Sequence, residues 1–226
     1  MELDLSIVVK RKIKVIKSKS TFYQFCVENY PNFKIGESGS NPKITSDKYS
    51  LRSCDLNNIE SLGKILQEEG LDPEAPTLVI SECVMIYLEP EAVQEMINFV
   101  SKTFKQSIFM DYEMFNPTSN FGKMMVKNFK ERGVPLVSID NFRTLPEIEK
   151  MYTQGGFDSC RAIDMHTIFT QFLPKSELMR IRKLEWLDEI EEIALIQSHY
   201  FISIAKKNGL DSENWFKELG FESLSG

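Results

Sequence analysis

One apolar run constrains the fold of this chain more than any other part of its sequence. Across residues 77–88 apolar and β-branched side chains follow one another, and the lone acid among them is Glu82. Such a run is typical of a strand that is covered on both faces. An ionised carboxylate is costly inside such a strand, so we expect Glu82 to lie where the strand leaves the core. The sequence therefore predicts a buried strand over residues 78–88 whose end borders a ligand site.

Strand and helix patterns alternate around this run. Helical spacing of apolar residues is found at 59–66 and 92–104, and residues 107–112 are the next strand candidate. This alternation favours an α/β fold with a mostly parallel sheet and helices on both faces. We expect the strands that begin at Thr77 and Ser107 to form a parallel pair, and residues 18–48 to be a long irregular connection.

Composition and charge exclude several classes of protein. The 226 residues carry a formal net charge of -6, which argues against a nucleic-acid partner. The four cysteines are spread along the chain without the spacing of a zinc site, and they indicate a reducing compartment. No apolar run is long enough for a membrane helix, and the acids Glu2 and Asp4 rule out a signal peptide at Met1. We therefore expect a cytoplasmic protein that binds neither nucleic acid nor membrane.

Acidic residues, rather than a known catalytic motif, mark the candidate site. The chain has no GxGxxG after a strand, no P-loop, no HExxH and no GxSxG, and only two histidines, His166 and His199. Ligands of α/β sheets bind at the carboxyl ends of strands. Acids follow or end successive predicted strands there. They are Asp4, Asp55 and Glu82, with Asp111 as a fourth.

Each of these residues also has a purely structural interpretation. Asp55 could be the N-cap of the following helix, and Glu82 could form an ion pair with a neighbouring helix. Tyr87 could be an aromatic residue at a strand end whose hydroxyl reaches solvent. Recurrence of acids at strand ends favours a nucleoside site, because carboxylates accept hydrogen bonds from ribose hydroxyls and an adenine amino group. Both interpretations stay open on residue type alone.

A family resemblance narrows the choice. Residues 81–91, Ser-Glu-Cys-Val-Met-Ile-Tyr-Leu-Glu-Pro-Glu, resemble the signature strand of leucine carboxyl methyltransferases. Those enzymes use S-adenosylmethionine to methylate the C-terminal leucine of the type 2A protein phosphatase catalytic subunit. Further stretches over about residues 1–207 resemble the family in order: Glu2-Leu-Asp-Leu at its second strand, Cys54-Asp-Leu at the end of its third, Asp111-Tyr-Glu, Asn116 and Phe121-Gly122 after its fifth, and Ala162-Ile-Asp-Met and Leu184-Glu-Trp-Leu-Asp-Glu in its C-terminal part.

The resemblance implies a role for each matching residue. Asp4 would bind the ribose of S-adenosylmethionine, Asp55 and Leu56 would contact the adenine, and Glu82 would lie near the methionine part. Tyr87 would face the substrate carboxylate. A leucine carboxylate is already ionised at neutral pH, so no general base and no metal are expected. Catalysis would depend on alignment and on a dry, closed site.

The resemblance also implies that one part of the family fold precedes Met1. The family has a first strand and a glycine-rich loop upstream of the Asp4 position, and this strand lies between the second and fourth. We therefore expect a class I S-adenosylmethionine-dependent methyltransferase (Rossmann-like) sheet that lacks its first strand, with two unpaired strand edges and a poorly placed segment over residues 1–5. Residues 1–207 would be the methyltransferase domain, incomplete at the N-terminus, and 208–226 a C-terminal tail.

Three functions remain open at this stage. The first is methyl transfer to the leucine carboxylate of the phosphatase. The second is a non-catalytic remnant of the same fold that binds the phosphatase, and the third is a related methyltransferase that modifies tRNA. The acidic composition and the lack of a basic, aromatic stripe argue against the third.

Overall fold

The computed structural model describes residues 1–36, 42–184 and 188–208. They form two compact units, Met1–Asp72 and Pro73–Gly226. The expected C-terminal tail lies outside the described residues from position 209 onward, as do positions 185–187 of the Leu184-Glu-Trp-Leu-Asp-Glu motif.

The first unit is a four-stranded sheet with three helices. Its elements are β1 (Glu2–Asp4), α1 (Ser6–Ser18), α2 (Ser20–Asn29), β2 (Lys34–Gly36), β3 (Lys43–Thr45), β4 (Leu51–Ser53) and α3 (Ile59–Glu68). The strand order is β1-β4-β3-β2, in which β1 and β4 are parallel and the other pairs are antiparallel. Val9 and Ile13, one helical turn apart on α1, pack with Ile44 and Leu51 from the strands to form the core.

Two expectations about the first unit are wrong. Residues 18–48 are not one irregular connection, because they contain α2, β2 and β3. Ring contacts hold this segment in place: the Tyr23 and Phe33 ring centroids are 6.1 Å apart within it, and Tyr30 stacks at 5.7 Å on Tyr49, which follows it. Residues 1–5 are not poorly placed either, since β1 pairs with β4 along its whole length.

The second unit contains the apolar run and a larger sheet. Its strands are β5 (Thr77–Glu82), β6 (Ser107–Met114), β7 (Ser159–Asp164) and β8 (Tyr200–Lys207). Its helices are α4 (Pro90–Thr103), α5 (Asn120–Glu131), α6 (Leu145–Gln154), α7 (Met165–Thr167), α8 (Lys175–Leu184) and α9 (Ile190–Gln197), with short 3₁₀ turns at Met85–Tyr87 and Ile139–Asn141 and a π turn at Ile168–Phe172. The order is β5-β6-β8-β7.

The α/β class is confirmed, but the sheets are mixed rather than mostly parallel. The expected parallel pair is present, with Thr77 opposite Ser107 and Glu82 opposite Tyr112. In contrast, β8 runs antiparallel to both β6 and β7, and β2 and β3 are antiparallel. A connection as short as the one between β2 and β3 permits only an antiparallel pair, because parallel neighbours need a longer crossover.

Each sheet ends in a parallel strand with one unpaired edge. Among the described residues β1 pairs only with β4, and β5 only with β6. Two unpaired strand edges are therefore present among the described residues, as the resemblance led us to expect. The expectation that β5 is covered on both faces is wrong, since Leu78 is 56% exposed and Ile80 is 66% exposed. These two side chains are two positions apart and so lie on the same face of this edge strand. The described residues leave that face uncovered.

Candidate functional site

The first unit brings Asp4 and Asp55 to the same edge of its sheet. Asp4 ends β1 and lies opposite Ser53 in the parallel register, and its carbonyl accepts a hydrogen bond from the Cys54 N–H at 2.9 Å. Asp55 follows immediately and is exposed. Two acids that are 51 positions apart in the sequence thus lie at the carboxyl ends of adjacent parallel strands, where α/β sheets bind ligands.

Local hydrogen bonds orient both carboxylates. Asp4 Oδ1 accepts the Leu5 N–H at 2.7 Å, and Asp55 Oδ1 accepts the Asn57 N–H at 3.0 Å. Asp55 is therefore not the N-cap of α3, because Asn58 fills that position by accepting the Ser61 N–H. The N-cap interpretation of Asp55 is wrong, and its carboxylate instead forms an Asx turn at the sheet edge. Leu56 is half-buried beside it.

In the second unit Glu82 lies at the end of its strand, as expected, and is exposed. The strand does not continue to Leu88, because Cys83 takes a left-handed conformation with φ of 50°. That region is uncommon for a residue with a side chain and is concentrated at functional sites. A 3₁₀ turn follows and ends at Tyr87, which is half-buried. Tyr87 is thus carried by a turn rather than by the predicted strand.

Three tyrosines and a thiol surround this strand end, and we call them the strand-end cluster: Cys83, Tyr87, Tyr112 and Tyr200. Tyr112 on β6 stacks on Tyr200 on β8, with ring centroids 5.4 Å apart. Burial and then the nearby Cys83 raise the pKa of each tyrosine, and burial raises the pKa of Cys83 to about 11. All four groups are therefore neutral at pH 7. They can donate hydrogen bonds to an anion, but they are poor nucleophiles and bases.

Two further acids, Asp111 and Glu113, lie in the interior of the second unit. Asp111 was expected at a strand end, yet β6 continues to Met114 because Tyr112–Met114 pair with residues 200–202 of β8. Asp111 and Glu113 are both 0% exposed. Asp111 Oδ2 accepts the Tyr152 hydroxyl at 2.9 Å. Sequence reasoning did not single out Glu113, although a second acid two positions after Asp111 must share its face of the strand.

His199 has a structural position, as the sequence suggested, and does not belong to the strand-end cluster. His199 is buried before β8, with Nε2 2.6 Å from Ser119 Oγ and Nδ1 2.8 Å from the Leu195 carbonyl. Because the carbonyl can only accept, Nδ1 donates to it, and Nε2 shares the second hydrogen bond with the Ser119 hydroxyl. Ser119 is also the N-cap of α5, where it accepts the Gly122 N–H. The pair therefore joins α5 to the segment before β8.

Across residues 1–36, 42–184 and 188–208, no three histidine, cysteine or acidic side chains are grouped as a metal site would require. Within the same residues, no helix combines the length and the apolar character that crossing a bilayer needs.

Comparison with known proteins identifies the family. The family model described as leucine carboxyl methyltransferase matches residues 1–101. The leucine carboxyl methyltransferase 1 homolog of Arabidopsis thaliana is 33% identical over 226 residues, which cover all of this chain and 66% of that protein. The tRNA wybutosine-synthesizing protein 4 of Rattus norvegicus is 33% identical over 94% of this chain and 30% of its own length. Leucine carboxyl methyltransferase 1 of Bos taurus is 29% identical over 97% of this chain.

The chain spans only part of these relatives, 65% in the case of the bovine protein. Among solved structures, the phosphoethanolamine N-methyltransferase 2 of Haemonchus contortus in complex with S-adenosyl-L-methionine has a TM-score of 0.40 and 15% identity, and the match covers 70% of this chain and 37% of that one. The family assignment rests on the sequence matches, which extend over both units. The chain belongs to the leucine carboxyl methyltransferase family.

Proposed function

We propose that this chain takes part in S-adenosylmethionine-dependent methyl transfer to the C-terminal leucine carboxylate of a protein, the catalytic subunit of type 2A protein phosphatase. The observation that carries the proposal is the position of the matched residues. Asp4 and Asp55 lie at the carboxyl ends of β1 and β4 in the first unit, and Glu82 lies at that of β5 in the second. Each of the three lies at the carboxyl end of a strand, where α/β sheets bind their ligands.

The donor and acceptor chemistry of these residues fits the cofactor. Asp4 is assigned to the ribose hydroxyls, and Asp55 with Leu56 to the adenine, since oriented carboxylates accept hydrogen bonds from hydroxyl and amino groups. Glu82, exposed at the end of β5, suits the ammonium group of the methionine part. When bound, the cofactor supplies the methyl group, and the residues of this chain bind and orient it.

The strand-end cluster fits a carboxylate substrate. Tyr87 is assigned to that carboxylate, and a neutral phenol beside other neutral groups can donate to an anion without repelling it. The leucine carboxylate needs no base at neutral pH, so the neutral tyrosines of the strand-end cluster suffice to bind it. The four free thiols support a reducing, cytoplasmic location for this function.

Methyl transfer to matched peptides tests the proposal. The chain would be incubated with methyl-tritiated S-adenosylmethionine and a peptide that ends like the phosphatase catalytic subunit in a free leucine carboxylate. The same peptide with a C-terminal amide is the control. We expect base-labile label in the free-acid peptide and none in the amide. Equal label in both peptides, or none in either, would contradict the proposal.

The similarity to the rat tRNA wybutosine-synthesizing protein 4 supports a second candidate, methyl transfer to a modified tRNA base. The acidic sequence, with a pI of about 5.2, disfavours it because phosphate contacts need cations. Adding tRNA as acceptor in the same assay separates the two functions. Label in tRNA and not in the free-acid peptide would establish the second candidate. A phosphatase-binding protein without activity would bind the peptide but not S-adenosylhomocysteine.

A further inference from the structure

The turn that follows β5, residues 83–87, is held from the interior by one carboxyl group. Glu113 Oε1 accepts the Ile86 N–H at 3.2 Å, and the N–H groups of Val84 and Met85 interact with the same carboxyl group. Glu113 is 27 positions further along the chain from Ile86 and is wholly buried on β6. N–H groups that converge in this way at the start of a helical turn normally meet a capping side chain or a bound anion.

The carbonyl groups of the same turn are also met from the interior. The Ser138 hydroxyl donates to the Met85 carbonyl at 2.8 Å, and the Ser138 N–H donates to the Ile86 carbonyl at 3.1 Å. Ser138 is 0% exposed. The backbone donors of the turn therefore face Glu113 and its acceptors face Ser138, so both sides of the turn are fixed by distant residues.

A packing role alone does not account for Glu113. In the part of the chain that the structure describes, the carboxyl group forms no salt bridge, and its Oε2 has no hydrogen-bond partner. Burying such a group is costly, and a leucine would fill a similar volume without that cost. Its visible contacts are those with the turn that carries Cys83 and Tyr87.

We propose that Glu113 is a positioning residue for the substrate site: by holding the N–H groups of residues 84–86, it stabilises the left-handed Cys83 and sets the direction of Tyr87. The part of this inference that concerns substrate rests on the proposed function, in which Tyr87 faces the carboxylate. One consequence is that the N–H groups of the turn are already engaged. An anionic ligand would therefore meet the tyrosine hydroxyls of the strand-end cluster rather than the backbone of the turn.

Amide hydrogen exchange of the full chain, followed by mass spectrometry, tests the contact without any ligand. Glu113→Leu removes the acceptor, and Glu113→Asp keeps the carboxyl group but is one methylene too short, so the test survives if the leucine variant fails to fold. Glu113→Gln keeps an acceptor oxygen, and Asp111→Asn removes the neighbouring acid without touching the turn. We expect exchange of residues 84–86 to rise at least about tenfold in the leucine and aspartate variants and to change less than about twofold in the other two.

The pattern of exchange separates positioning from general stability. Exchange in α4 and β6 should stay unchanged while the turn is released. Unchanged exchange at the turn in the leucine and aspartate variants, or an equal rise across the whole second unit, would overturn the proposal.

Calorimetric titration then tests the link to substrate. We expect the leucine or aspartate variant to bind the free-acid peptide at least about tenfold more weakly than the parent chain does, with Glu113→Gln close to the parent. Unchanged peptide affinity in a variant whose turn is released would contradict the role in substrate positioning. If the parent chain binds no peptide, the proposed function fails, whereas the exchange data still decide whether Glu113 holds the turn.

Discussion

The two units of this protein treat buried charge in opposite ways. In the first unit Arg52 is 3% exposed on β4 and forms ion pairs with Glu68, the last residue of α3, and with Glu69, its C-cap. In the second unit Asp111 and Glu113 are fully buried on β6, and neither forms a salt bridge among the residues that the structure describes. The buried cation of the first unit is paired with carboxylates, whereas the two buried acids of the second unit are met by hydroxyl and N–H groups.

The pKa values follow this difference. Burial alone raises the pKa of Glu69, but Ser50 and Arg52 more than offset it, so the pKa is lowered. Burial raises the pKa of Asp111, and burial with the charge of Asp111 raises that of Glu113. A paired charge joins a strand to a helix and supports the fold. An unpaired acid costs stability, and in the second unit this cost accompanies the control of a turn at the candidate site.

The largest expected effect is a fall in the stability of the second unit at alkaline pH. Burial raises the pKa of Asp111, and burial with the charge of Asp111 raises that of Glu113, so both pKa values lie well above the value near 4 at which these acids ionise when unfolded. Between pH 4 and the raised pKa values the folded state holds more protons than the unfolded state, so the stability decreases as pH rises through that range. We expect the unfolding free energy in urea to fall by on the order of 4 kcal/mol from pH 5.5 to 8.5.

A double variant, Asp111→Asn with Glu113→Gln, should flatten this dependence. Asp140→Asn, which removes an exposed acid in the same unit, should leave it intact. A parent chain that is equally stable at both pH values would show that the two acids are ionised in the fold and would remove the contrast between the units.

Loss of Arg52 should have the next largest effect. Arg52→Ala leaves Glu69, whose side chain is 15% exposed, without its cation. We expect a loss of about 3 kcal/mol in the unfolding free energy of the first unit, measured by urea titration at pH 7. Arg143→Ala is the control, because its partner Asp140 is exposed and such pairs contribute less than about 1 kcal/mol. Similar small losses in both variants would mean that burial adds nothing to the Arg52 pairs.

The smallest expected effect is the loss of one hydroxyl in each unit, tested by two tyrosine-to-phenylalanine substitutions. Tyr152→Phe removes the hydroxyl that donates to the buried Asp111, and Tyr49→Phe removes the one that donates at 2.6 Å to Glu2, which Lys12 also contacts. We expect losses of about 1.5 kcal/mol and about 0.5 kcal/mol in unfolding free energy, since only the first leaves a buried acceptor without a partner. The reverse order in urea titrations would contradict the contrast.

Local patterns in the sequence predicted the parts of the fold that depend on neighbouring residues. The acid of the apolar run does mark the end of β5, and the parallel pairing of β5 with β6 follows from the alternation of elements. The end of the run was less predictable. The composition of residues 84–88 predicts a strand. In the structure these residues form a turn, which is held by hydrogen bonds to Glu113 and Ser138, 27 or more positions further along the chain.

Long-range strand pairing also explains why the sequence placed Asp111 wrongly at a strand end. Asp111 stands close to the end of its apolar segment, and only the antiparallel partner β8, about 90 positions later, extends β6 beyond it. The family resemblance supplied the residue roles that spacing could not, because it compares whole ordered motifs. It could not show that Asp55 forms an Asx turn while Asn58 caps the helix.

Cofactor affinity tests the central claim, that the strand-end carboxylates bind S-adenosylmethionine, more directly than any other measurement. S-adenosylhomocysteine would be titrated calorimetrically into the parent chain, Glu82→Gln and Glu91→Gln, the last being an exposed acid in the first turn of α4. We predict saturable binding that is weakened at least about tenfold by Glu82→Gln and unchanged by Glu91→Gln. Undetectable binding to the parent chain at millimolar ligand, or equal affinity in all three proteins, would contradict the claim.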